Sequence, residues 1–150
     1  MPFDEKFTWV SVVVSTLVPG VYLTMVLGQA GGVPIGQIAY QVPMLLAIGA
    51  VIVLTITGTV LAGIGTGISI ELSGEGSTED IGRTDERDRE ISRRGILAGG
   101  AAASVGAIGA LAITMLGFDN FWIANALYLS FVASSLVSGV VRLIAYRRGF

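Results

Sequence analysis

The chain contains neither cysteine nor histidine. Without cysteine there can be no disulfide framework, no thiol nucleophile and no thiolate metal site. Without histidine the commonest metal ligand and the usual general base near neutral pH are missing. Lysine is nearly absent too, with Lys6 the only one among nine basic residues. Charge of either sign is scarce, at 13% of residues against about 25% in a soluble domain. With a net charge of −2 and no basic patch of useful size, a nucleic-acid partner is excluded. Hydrophobic residues instead make up 53% of the chain and the mean hydropathy is +0.77. Water is therefore not the main solvent of this polypeptide. Its Gly, Ala, Val and acid bias suits a high-GC or salt-adapted prokaryote, archaea included, and an ordinary bacterial membrane protein equally well.

The scarce charge is concentrated. Most of it lies in Glu71–Arg94, ELSGEGSTEDIGRTDERDREISRR, with long apolar segments on either side. At 1.5 Å per residue, a hydrocarbon core of roughly 30 Å takes about 20 residues of helix. Four segments meet that length, at about 7–27, 42–70, 95–117 and 121–145. Backbone satisfaction in lipid allows only helices or a closed barrel, and none of the four alternates as a barrel strand does. The expected fold is all-α, a polytopic four-helix bundle in one domain, with two hairpins joined by a charged loop at 71–94. Met1–Lys6 lacks the positive start of a signal peptide, so the N-terminus is expected to belong to the mature protein.

Details of each span follow from its punctuation. Pro19 predicts a kink in the first, because proline removes a backbone donor. Gly28–Gln41 is a loop with a short interfacial turn expected near Ile35–Tyr40. Pro43 suits the first turn of the second span, whose excess length implies tilt or projection from the membrane. Small residues recur at four-residue spacing in Gly58/Ala62/Thr66 and Gly63/Gly67, and again in Gly95/Gly99/Ala103 and Ala102/Gly106/Ala110 of the third span. Such strips let helices approach closely, and they are the candidate helix-packing residues. The third span is so thin that it is expected at the bundle centre or an oligomer interface, packed against the second. Ser134/Ser138 and Ser135/Gly139 give the fourth span a small face as well. Trp122 and Tyr128 are expected near the membrane interface.

The third helix is expected to start in the loop near Asp85, with Thr84 as N-cap and acidic residues in its first turn. Asp85/Arg89 and Glu90/Arg94 stand at i,i+4 with the acid first, the favoured order. The charged portion is thus expected to be a rigid stub. Its residues Asp85, Glu86, Arg87, Arg89 and Glu90 form the candidate partner-docking surface. With four spans, the termini and the charged loop share one side, and all nine Lys and Arg residues fall there. By the positive-inside rule that side is expected to be cytoplasmic, in a multi-pass cell-membrane protein.

Motifs of chemistry resolve into packing. Gly63, Gly65 and Gly67 superficially match a phosphate-binding turn, but they close an apolar span where no strand precedes them. Ser92–Leu97 resembles a twin-arginine signal in the wrong part of the chain, so an ordinary charge anchor is favoured. The acidic cluster has no calcium-loop pattern and its arginines neutralise it. The spans carry no mid-membrane Asp, Glu, Lys or Arg; Arg142 snorkels from the inner end. Thr55, Thr57, Thr59, Ser104, Thr114 and Asn125 are expected to bond locally or across helices more than to line a path.

The run Asp85-Glu86-Arg87-Asp88-Arg89-Glu90-Ile91, leading straight into a span, resembles a D-E-R-x-x-x-I segment of uncharacterised small multi-span prokaryotic membrane proteins. The resemblance implies topology and a prokaryotic source and no activity. No catalytic constellation, metal site or cofactor site is visible, so the expectation is a non-enzymatic accessory or assembly protein. It would associate through its Gly/Ala faces with itself or another membrane protein, surrounded by membrane lipid. The alternative is a small oligomeric transporter or channel.

Overall fold

A computed structural model describes residues 3–29, 31–73 and 86–148. They form four helices, α1 (Phe3–Gln29), α2 (Gln41–Ser73), α3 (Glu86–Met115) and α4 (Asn120–Arg148), with a 3-10 turn at Ile35–Gln37. Each helix is long and apolar enough to cross a membrane, and there is no strand among the described residues. The expected all-α four-helix bundle and the multi-pass membrane class are what the fold shows. Leu46 on α2 and Val105 on α3 are 68% and 72% exposed, as lipid-facing side chains should be, since apolar surface incurs no penalty there. Trp9 at one end and Trp122 at the other are both partly exposed, the placement of an interfacial aromatic belt. Arg147 lies over the Trp9 ring at 5.8 Å. From there α4 runs to Trp122 in 25 residues, roughly 37 Å at 1.5 Å per residue, enough for the hydrocarbon core with both interfaces.

Neighbouring helices pack in the spatial order α2, α1, α4, α3. All three pairs are antiparallel. Gly58 of α2 faces Val10 of α1, Gly139 of α4 faces Val12 of α1, and Gly106 of α3 faces Ser130 of α4. Val10 and Val12 are two positions apart, about 200° around a helix, so α1 offers a valine to each side and is held between α2 and α4. The N-termini of α1 and α3 and the C-termini of α2 and α4 therefore share one end, here the charged end.

Here the sequence expectation needs correction. The third span does not pack on the second and is not central; α3 lies at an edge, against α4. The reason is complementarity of small strips. Gly95 and Gly99 on α3 meet Ser134, Ser138 and Arg142 on α4, where residues four apart make a matching shallow face. The turn joining the two helices enforces this pairing. Gly117 adopts φ +73°, its N–H donates to the Thr114 carbonyl at 3.1 Å, and the Phe118 N–H donates to Ile113 at 3.3 Å. That pair of bonds is the Schellman closure of a helix, and α4 begins at once with the Trp122 N–H donating to the Asp119 carbonyl at 2.9 Å.

The α1–α2 connection is longer and folds inward. Ile38 is buried, with Tyr22, Val26, Ala47, Phe121 and Tyr128 around it. The Ala39 N–H donates to Gln29 Oε1 at 3.2 Å, and the expected short turn appears as the 3-10 turn at Ile35–Gln37. Pro19 sits within α1, which continues through it; proline cannot donate to the Ser15 carbonyl one turn back.

Candidate functional site

Because α2 and α3 occupy opposite edges, a groove floored by α1 and α4 lies between them at the charged end and continues between α2 and α4 toward the loop end. It has two halves that meet at Ser15, Val51, Ile52 and Ser135. The half toward the loop end, about 490 Å³, is lined by Pro19, Met44, Ile48, Leu127 and Phe131 and is almost wholly apolar. The half toward the charged end, about 700 Å³, carries the hydroxyls of Ser11, Thr55, Ser134 and Ser138. Arg142 is the only charged residue lining it among the described residues.

Arg142 is placed by a glycine. A methyl group built on Gly95 would stand 2.7 Å from both Cγ and Nε of Arg142 and 3.0 Å from the Ser138 carbonyl oxygen. Only a residue without a side chain lets the arginine stem lie flat on α3. The Arg142 Nε is buried without a hydrogen-bond partner, and no acid pairs with it among the described residues. An arginine held in hydrocarbon costs about 2.5–3.5 kcal/mol at mid-membrane and less toward the interface. This one is retained at the polar end of a cleft.

A second polar set seals the loop end. The Tyr22 hydroxyl donates to Asn125 Oδ1 at 2.7 Å, and Asn125 Nδ2 donates to the Phe121 carbonyl at 2.8 Å. Tyr22 and Tyr128 meet edge to face with centroids 4.9 Å apart. Tyr40 packs on Phe121 at 5.4 Å in the same manner. Tyr128 is 6% exposed, with its hydroxyl unpartnered. The sequence reasoning missed this cluster. Its signal was available, since Asn125 and Tyr128 are three apart and so share a helix face.

The other predicted positions are placed as follows. Gly58 accommodates Val10, whose Cγ1 lies 2.6 Å from where a Cβ would be. A methyl on Gly99 would stand 2.8 Å from the Ser134 carbonyl oxygen and 3.0 Å from the Ser138 Cβ, and one on Gly106 would collide with Ser130. Ala62, Gly63 and Ala103 are half-buried, while Gly67 lies in α2 without described surroundings. Thr59, Ser104 and Thr114 donate to the carbonyls of Thr55, Gly100 and Ala110 one turn back, the local bonding expected of them.

The stub exists as a helix. α3 runs without a break from Glu86 in the charged segment to Met115. Arg94 Nε donates to Glu90 Oε1 at 3.0 Å, so the second predicted i,i+4 pair forms. Glu86, Arg87, Arg89 and Glu90 are exposed, whereas Ile91 is 2% exposed and fastens the stub to the bundle. Asp85, Thr84 and the pair Asp85/Arg89 fall outside the described residues. Among the described residues no three carboxylates gather as a cation site. No protein-family model, curated protein or solved structure matches this chain, so its function is read from this geometry.

Proposed function

We propose that the protein is a non-enzymatic accessory component of a membrane assembly, docking a partner through the charged stub at the head of α3. One observation carries this reading: the stub is the first turn and a half of a helix that continues into the bundle, anchored by the buried Ile91. Its charges are thereby held at fixed spacing relative to the membrane, as a docking surface needs and a solvated loop does not. Both signs are present within Glu86–Glu90, which favours a partner of mixed charge over a nucleic acid or a purely anionic surface. In this reading the stub and both termini face the cytoplasm, where the positive-inside rule sets all nine basic residues.

The glycine strips serve the assembly indirectly. Gly95, Gly99 and Gly106 are occupied by α4 and hold the stub-bearing hairpin together, while Gly58 is occupied by α1 and holds the other hairpin; an association with a further chain would use other faces. The test is purification from the native membrane, with and without neutralisation of Glu86, Arg87, Arg89 and Glu90. A stoichiometric partner lost on neutralisation supports the reading. A partner-free protein in both preparations overturns it.

The second reading, a small oligomeric transporter or channel, draws on the hydroxyls in the charged half of the groove. The polar lining stops midway, at Ser15 and Ser135, and the remainder is apolar. Among the described residues this groove therefore offers no continuous polar path, and in this reading a second copy completes it. Solute flux in reconstituted vesicles tests this reading.

A further inference from the structure

We propose that the groove between α2 and α3 binds a single anionic phospholipid, with its phosphate at Arg142 and one acyl chain running toward Phe131. The groove and the lipid share one order of chemistry. At the charged end stands Arg142, with no acid paired to it among the described residues and a buried, unpartnered Nε, followed by the hydroxyls of Ser138 and Ser134, then the apolar Val51, Ile52 and Phe131. A phospholipid entering from that leaflet presents phosphate, ester oxygens and hydrocarbon in the same sequence. Dimensions agree as well. Arg142 and Phe131 are eleven residues apart on α4, about 16 Å, and one leaflet contributes roughly half of a 30 Å hydrocarbon core.

Charge selects this occupant over an apolar partner helix. A lone arginine with no acid beside it among the described residues calls for an anion, and phosphate takes guanidinium donors well. The inference is independent of the docking role assigned to the stub, because none of the proposed lipid contacts lies in Glu86–Glu90.

The experiment uses the full chain, delipidated in a neutral detergent and offered equal amounts of phosphatidylglycerol and phosphatidylcholine with matched chains. Native mass spectrometry reads what is retained. One phosphatidylglycerol per chain, favoured about tenfold, is the expected result for a charge-assisted contact. Arg142→Gln should erase that preference, Arg142→Lys should keep most of it, and Arg147→Gln should leave it unchanged. Ile52→Trp, which fills the groove beyond the headgroup, should lower retention of both lipids. Circular dichroism and monodispersity check that each variant is folded. Equal retention of the two lipids by the unmodified chain overturns the proposal, as does an unchanged preference in a folded Arg142→Gln protein. So does displacement of the lipid by millimolar inorganic phosphate, which would mean that the site recognises the anion alone.

Discussion

The two ends of the bundle solve the same packing problem in opposite ways. At the loop end, large rings fill the space between helices: Tyr22, Tyr40, Phe121 and Tyr128 stack edge to face, and a buried hydrogen bond ties α1 to α4. At the charged end the α3 side of the α3–α4 seam has no side chain at Gly95 and Gly99, and the α4 backbone carbonyls of Ser138 and Ser134, with the Arg142 stem and the serine side chains, lie directly on it. In lipid, where neighbouring acyl chains are as apolar as leucine, contact density and hydrogen bonding replace the hydrophobic effect as the cause of association. Rings reach across a gap and close it. Glycines remove the gap between one pair of helices and leave the next pair apart. The groove between α2 and α3 is the consequence, since α3 cannot lie tight on α4 and also reach α2.

That contrast can be broken most severely at Gly99. Leucine there must displace the Ser134 backbone, and we expect a loss of about 3 kcal/mol, at the upper end of overpacking costs. Unfolding in mixed micelles, followed by circular dichroism, measures it; a loss below about 1 kcal/mol would mean that the seam is looser than the geometry states. At the other end, Tyr22→Phe deletes only the hydroxyl that donates to Asn125. The expected loss is about 1 kcal/mol, within the range for interhelical bonds in membranes, and the same titration reads it.

Gly100 sharpens the comparison because it is the neighbour of Gly99 with nothing within 4 Å of an added methyl. Gly100→Ala should stabilise α3 by about 0.5 kcal/mol, through helix propensity alone. A destabilisation there would show that the groove face is covered in the folded protein. The smallest effect is expected at the stub. Glu90→Gln removes an exposed i,i+4 pair and should cost about 0.3 kcal/mol at low salt, vanishing at high salt. Thermal unfolding at two ionic strengths checks it. Neutralising that pair should therefore disturb docking far more than folding.

Much of the architecture was legible because composition in a bilayer is restrictive. An uncharged run of 20 residues must be a helix, and the unbroken passage of α3 from Glu86 into the membrane followed from the i,i+4 charge order. The site was less legible. Arg142 read only as a snorkelling end charge, since nothing in the sequence says that Gly95 of another helix lies under its stem. The contact of Tyr128 with Tyr22 was not legible either, because the two rings are 106 positions apart in the chain.

The sequence alone determined the number of spans, the end of the bundle that carries the charge, and the strips along which helices can approach. Tertiary structure decided which strip meets which. In water a helix announces its inward face by being apolar there and polar elsewhere; in lipid both faces are apolar, so spacing marks a side that can be packed without naming the partner. The neighbour order α2, α1, α4, α3 settled that choice, and with it came the groove, the exposed face of Gly100 and the place of Arg142.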